Sequence, residues 1–171
     1  MDFSRNFESL QWCDLAGFQD DRFKQSGISI QFVRPMCKEE AALNALLPAV
    51  LLRGCEGARD MREITLRLDD LYGASVGSLV RRIGDCQTTG FACNFIEDAF
   101  ALEGDSVLAL MAAFLGELLL QPVLCDGVFL QEYVENFGGP RNAMFRMKEQ
   151  WHMLLCKFEN SEKLEKIFFK K

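Results

Sequence analysis

Ser75-Val76-Gly77-Ser78-Leu79-Val80-Arg81-Arg82-Ile83 and Thr88-Thr89-Gly90-Phe91-Ala92-Cys93-Asn94-Phe95-Ile96 flank a turn region containing Gly84-Asp85. Both runs are rich in β-branched and aromatic residues, and a glycine-containing pair between two such runs marks a hairpin. Thr89, Phe91, Cys93 and Phe95 then share one face of the second strand, because side chains alternate along a strand. Upstream, Asp60 and Glu63 form a capping-box-like pair before a helix. Its apolar stripe is Met61, Ile64, Leu68 and Leu71, and Gly73 ends it.

An earlier helix is expected over Glu39 to Arg53. Glu39 and Glu40 suit its N-terminus, where the macrodipole favours negative charge. The residues from Ala41 to Leu52 are apolar nearly all round, so most sides should be buried. Pro48 falls in the middle, where it removes a hydrogen bond and should kink the helix at about 3 kcal/mol. Gly54 is a plausible stop. Further upstream, Ile28 to Val33 alternates apolar and polar and ends at Pro35. Trp12 to Phe18 reads as a short first strand, closed by the charged turn Gln19-Asp20-Asp21-Arg22. Downstream, Asp105 or Ser106 caps a helix with the stripe Val107, Leu110, Met111, Phe114 and Leu118, stopped at Gln121-Pro122. The order β, β, α, α, β, β, α predicts an α+β fold. Its antiparallel sheet should carry helices on one face, unlike a doubly wound parallel sheet.

The strongest breaker is Asn136-Phe137-Gly138-Gly139-Pro140. It divides the chain into a domain over 1–135, a linker over 136–140 and a basic helical tail over 141–171. In the tail, Met144, Met147, Trp151, Leu154, Leu155 and Phe158 recur at helical spacing. From Gly138 onward eight Lys/Arg and four Glu give a local +4; the remaining 11 Lys/Arg and 21 Asp/Glu give −10. Such asymmetry points to pieces with different partners or histories.

With 171 residues the chain suits one domain, or one domain with an appendage. No apolar run reaches bilayer-spanning length, and Met1-Asp2-Phe3-Ser4-Arg5-Asn6 lacks the features of a signal peptide. The expected compartment is the cytoplasm. The seven cysteines (Cys13, Cys37, Cys55, Cys86, Cys93, Cys125 and Cys156) include no C-x-x-C, so reduced and mostly buried thiols are expected. The single histidine, His152, sits in an amphipathic helical stretch and reads as a surface or half-buried side chain. Nucleophile systems and zinc sites built on histidine pairs are thereby disfavoured. Gly73 to Ser78 is glycine-rich but leads into a strand, which suits a turn with close packing better than a phosphate cradle. The adjacent acids Asp20-Asp21, Glu39-Glu40 and Asp69-Asp70 cannot share a face and read as solvated charge.

Ala42-Leu43-Asn44-Ala45-Leu46-Leu47-Pro48-Ala49-Val50-Leu51-Leu52-Arg53-Gly54-Cys55-Glu56 resembles the active-site helix and following turn of insulinase-family (pitrilysin-like) peptidases. Leu71-Tyr72-Gly73-Ala74-Ser75 and Ala109 to Pro122 resemble later stretches of that family, and the likeness covers about residues 8–135. It is similar in particular to a bacterial cytosolic subgroup acting as non-catalytic companions of an active-looking relative. Active members carry H-x-x-E-H, whose histidines hold zinc while the glutamate activates water. The matched positions here are Ala45, Pro48 and Ala49. A third ligand, a glutamate on a later helix, should fall near Glu132 or Glu135, where the pattern dissolves. The resemblance thus implies a chain with no catalytic residue, metal or cofactor.

The tail from Phe145 to Leu164 resembles the C-terminal helical region of bacterial tRNA-dihydrouridine synthases, without their flavin barrel. Arg141, Arg146, Lys148, Trp151 and Lys157 are the candidate RNA contacts, by phosphate pairing and base stacking. An ordinary amphipathic helix is the competing reading. Two resemblances meeting at the breaker suggest a truncated domain joined to a foreign tail in a hybrid frame. The expectation is a non-catalytic peptidase homologue pairing with a companion chain or itself, with no membrane or small-molecule ligand. A metallopeptidase of unusual ligation and an RNA-binding module are the alternatives.

Overall fold

A computed structural model describes residues 4–9, 14–20, 22–139 and 143–156. Its centre is an antiparallel sheet of three strands: β3 (Gln25–Pro35), β4 (Ser75–Ile83) and β5 (Cys86–Ile96), with β5 in the middle. The expected hairpin is present. Ile83 pairs with Cys86, so Gly84-Asp85 is a two-residue turn, and Gly84 takes φ +57 at its first central position. This tight turn starts β5 at Cys86, two residues before the expected Thr88. Strand β3 runs longer than Ile28 to Val33 but does end at Pro35.

Register explains which side is core. Ile30 pairs with Phe91 and Ile28 with Cys93, and Phe91, Cys93 and Phe95 are buried beside partly buried Ile28, Ile30 and Phe32. On the opposite face Val33 and Ile83 stay 60% and 61% exposed. Helices α1 (Ala41–Leu51) and α3 (Val107–Leu120) pack against β5. Helix α2 (Met61–Asp70) follows α1. The chain is therefore α+β.

Local signals set some helix ends and faces, and distant contacts set others. Asp60 caps α2 by accepting from the Glu63 N–H at 2.8 Å, but the Glu63 carboxylate reaches back to the Arg59 N–H at 2.6 Å, one residue beyond a strict box. Ile64 and Leu71 are buried as expected, while Met61, at the helix start, is 45% exposed. In α3, Val107, Met111, Phe114 and Leu118 are buried but Leu110 is 48% exposed; Leu115 and Leu119 complete the stripe instead. Neither Asp105 nor Ser106 caps α3 with its side chain. Asp98 does so, accepting from the Leu108 N–H at 2.9 Å and from Ser106 Oγ at 2.8 Å. Helix α1 runs through Pro48 to Leu51. Its C-cap is Leu52, so Gly54 does not stop it. Gly54 is instead set by space, since a Cβ there would lie 2.6 Å from the Arg59 carbonyl oxygen.

Four elements had no sequence signal strong enough to read. Strand β1 (Ser4–Ser9) pairs with β2 (Asp14–Gln19) as a separate ladder. Of the strand expected over Trp12 to Phe18, Trp12 and Cys13 lie outside the described residues, and the strand continues to Gln19. Asp20 and Arg22 then pair, and the guanidinium holds the Asp20 carboxyl down at about 2. The short strands β6 (Leu124–Cys125) and β7 (Val128–Phe129) make a second small hairpin, followed by α4 (Gln131–Glu135).

The breaker closes α4. Gly138 takes φ +73, its N–H donates to Glu135 O at 2.8 Å, and the Gly139 N–H donates to Val134 O at 3.0 Å. Pro140 lies outside the described residues. Helix α5 (Ala143–Cys156) then returns onto α1, α4 and β7, and its Ala143, Met147, Trp151 and Leu154 join the same core cluster. The described part of the basic stretch is thus packed on the domain.

Gly90 is the tightest point of the sheet. A Cβ there would sit 2.0 Å from the Ile30 carbonyl oxygen, a backbone atom that cannot move aside cheaply. Gly90→Ala is therefore expected to lower unfolding free energy by at least about 2 kcal/mol in urea titrations. Gly77→Ala is the control, because nothing lies within 4 Å of a Cβ at that position.

Candidate functional site

The chemistry implied by the sequence likeness would sit on α1, so its surroundings decide what the chain can do. Residues 45 and 49 are one helical turn apart and face the same way. Ala45 and Ala49 are half-buried there, and Pro48 is buried. None carries a donor atom for a metal. The helix lying against α1 is α5, whose buried residues are Ala143, Met147, Gln150, Trp151 and Leu154. Its only acid, Glu149, is exposed. Glu132 and Glu135, on α4, are exposed as well. Among the described residues no group of three His, Cys, Asp or Glu side chains is placed to hold a metal ion.

A buried amide network fills the α1–α5 junction. Arg34, at the end of β3, donates to Gln150 Oε1 on α5 and to Asn44 Oδ1 on α1 at 3.3 Å. Asn44 Nδ2 donates to Gln87 Oε1 at 3.4 Å, and Gln87 Nε2 donates to the Ala41 carbonyl at 2.8 Å. Glu40 neutralises the guanidinium at 3.4 Å. Asn44, Gln87 and Gln150 are all buried, so each amide replaces lost water contacts with a protein partner. Asn44 lies within a helix that is otherwise apolar nearly all round. Its side-chain partners, Arg34 and Gln87, come from two other elements, β3 and β5, and no local pattern announces them.

A second polar joint ties α2 to α3. Arg67 grips Glu117 with both terminal nitrogens, the longer contact being 2.7 Å, and lies 4.7 Å over the Phe114 ring. Hydrogen bonding to Glu117 raises the Arg67 pKa further above its ordinary value. Cys55 is buried beside this pair, and burial pushes its thiol up; Cys93 is raised for the same reason. Cys125 is exposed, while Cys37 and Cys86 are half-buried. The thiols are free among the described cysteines, and fewer are fully enclosed than expected. The glycine-rich stretch is a turn: Tyr72 and Gly73 take φ 61 and 69, and the Tyr72 hydroxyl is tied to Leu102 and Asp105. No side chain crowds Gly73 or Gly77, so the expected close packing is absent there.

Among the described tail candidates, Arg146, Lys148 and Trp151 have separate surroundings. Arg146 is exposed and donates to the Glu39 carbonyl at 3.2 Å; Lys148 is half-buried with its ammonium near Gly127. Arg141 and Lys157 lie outside the described residues. Trp151 is 7% exposed, its indole N–H donates to the Leu119 carbonyl at 2.7 Å, and it meets Phe129 edge-on at 6.1 Å. A ring enclosed in this way is not presented to a nucleobase, which corrects its place among the candidate RNA contacts. His152 is on the helix surface, its ring 4.9 Å from that of Trp151.

No family model matches the chain. Over 114 residues, 67% of its length, it is 27% identical to the "Probable inactive metalloprotease YmfF" of Bacillus subtilis (strain 168). The match supports a metallopeptidase-like family. A solved structure from Enterococcus faecalis V583, described as that of a conserved protein, superposes with a TM-score of 0.68 at 22% identity over 93% of this chain. This second likeness is one of fold. The chain spans 27% of the curated relative and 36% of the solved one. Neither likeness extends to a dihydrouridine synthase.

Two measurements check the site. Gln150→Ala should cost about 1–3 kcal/mol in denaturant titrations, because it strips an acceptor from a half-buried guanidinium, whereas the exposed His152→Ala should stay within about 0.5 kcal/mol of the parent. In timed alkylation at pH 8 with peptide mapping, Cys125 should react before Cys37, Cys55, Cys86 and Cys93. Cys55 and Cys93 should react only on unfolding, since their raised pKa values and burial keep them as inaccessible neutral thiols.

Proposed function

We propose that this chain is a non-catalytic homologue of the insulinase-family (pitrilysin-like) zinc peptidases that works by pairing with another protein chain. The observation that carries the reading is the make-up of α1. Where H-x-x-E-H would set two imidazoles and a carboxylate, the helix has Ala45, Pro48 and Ala49. Methyl groups and a pyrrolidine ring neither ligate zinc nor move a proton. The inward residues of α5 add no carboxylate. The similarity to a protein named as a probable inactive metalloprotease supports the same reading.

Pairing with a companion peptidase-like chain, or with a second copy, is the partner class we favour. Val33 and Ile83 are exposed on the sheet face away from the helices, and β3 and β4 have no further neighbouring strand among the described residues. Open strand edges and exposed apolar side chains favour association.

Purified protein is expected to hold far less than one zinc per chain by elemental analysis and to show no chelator-sensitive cleavage of unstructured peptides. Stoichiometric zinc with such cleavage would overturn the non-catalytic reading. Light scattering is expected to give a mass above the 19.4 kDa of one chain, either alone or once a companion is added. A clean monomer under both conditions would remove the pairing.

A further inference from the structure

We draw no further inference here: the strongest candidate, the outer face of the three-stranded sheet, where Val33 and Ile83 lie exposed near the buried, unbonded hydroxyl of Thr88, carries nothing because nothing in the structure shows what covers it.

Discussion

Burial of α1 on more than one side is the constraint on which the other elements depend. The helix is apolar nearly all round, so a sheet against one flank alone would leave hydrocarbon in water. Strand β5 covers it from the sheet, and α5 and α4 also pack against it. Bringing α5 so close also traps polar groups. Arg34, Asn44, Gln87 and Gln150 satisfy one another across four elements, which fixes the angle at which α5 can sit. Apolar contact supplies attraction there, and the amides supply geometry, because a buried amide without a partner costs about 1–3 kcal/mol.

The same enclosure bears on chemistry. A hydrolytic zinc centre needs three protein ligands and an open position for water. Along α1, Ala45, Pro48 and Ala49 are small and apolar or cyclic, and the neighbouring helix buries methionine, glutamine and leucine. The polar interactions described above are structural. The Arg67–Glu117 pair and the Asp98 cap likewise join elements to one another, and their partners lie within the chain.

Much of the α+β layout was legible in the sequence because it rests on local rules. Alternation in Ile28 to Val33, the Gly84-Asp85 turn and the Asp60 cap each involve residues a few positions apart. Several of the differences turn on a partner or a packing direction that the local pattern does not contain. Asp98 takes over the α3 cap from across a loop, and Gly54 is constrained by a carbonyl on the far side of a turn. Leu110 was counted inward at helical spacing, but α3 turns Leu115 and Leu119 to the core instead. The site was legible in part: the side chains at 45, 48 and 49 can be read directly, whereas the amide network cannot. In the tail, a basic face beside an aromatic ring leaves RNA contact and ordinary helix packing both open in one dimension. Tertiary packing consumes the ring.

The placement of Trp151 gives the protein a built-in optical gauge. The chain has two tryptophans, and this one sits where α5, α3 and β7 converge, with its N–H on the Leu119 carbonyl. An indole held in such a dry setting emits at shorter wavelength than one in water. Loosening of α5 would move this ring toward water and so carries a spectral signature.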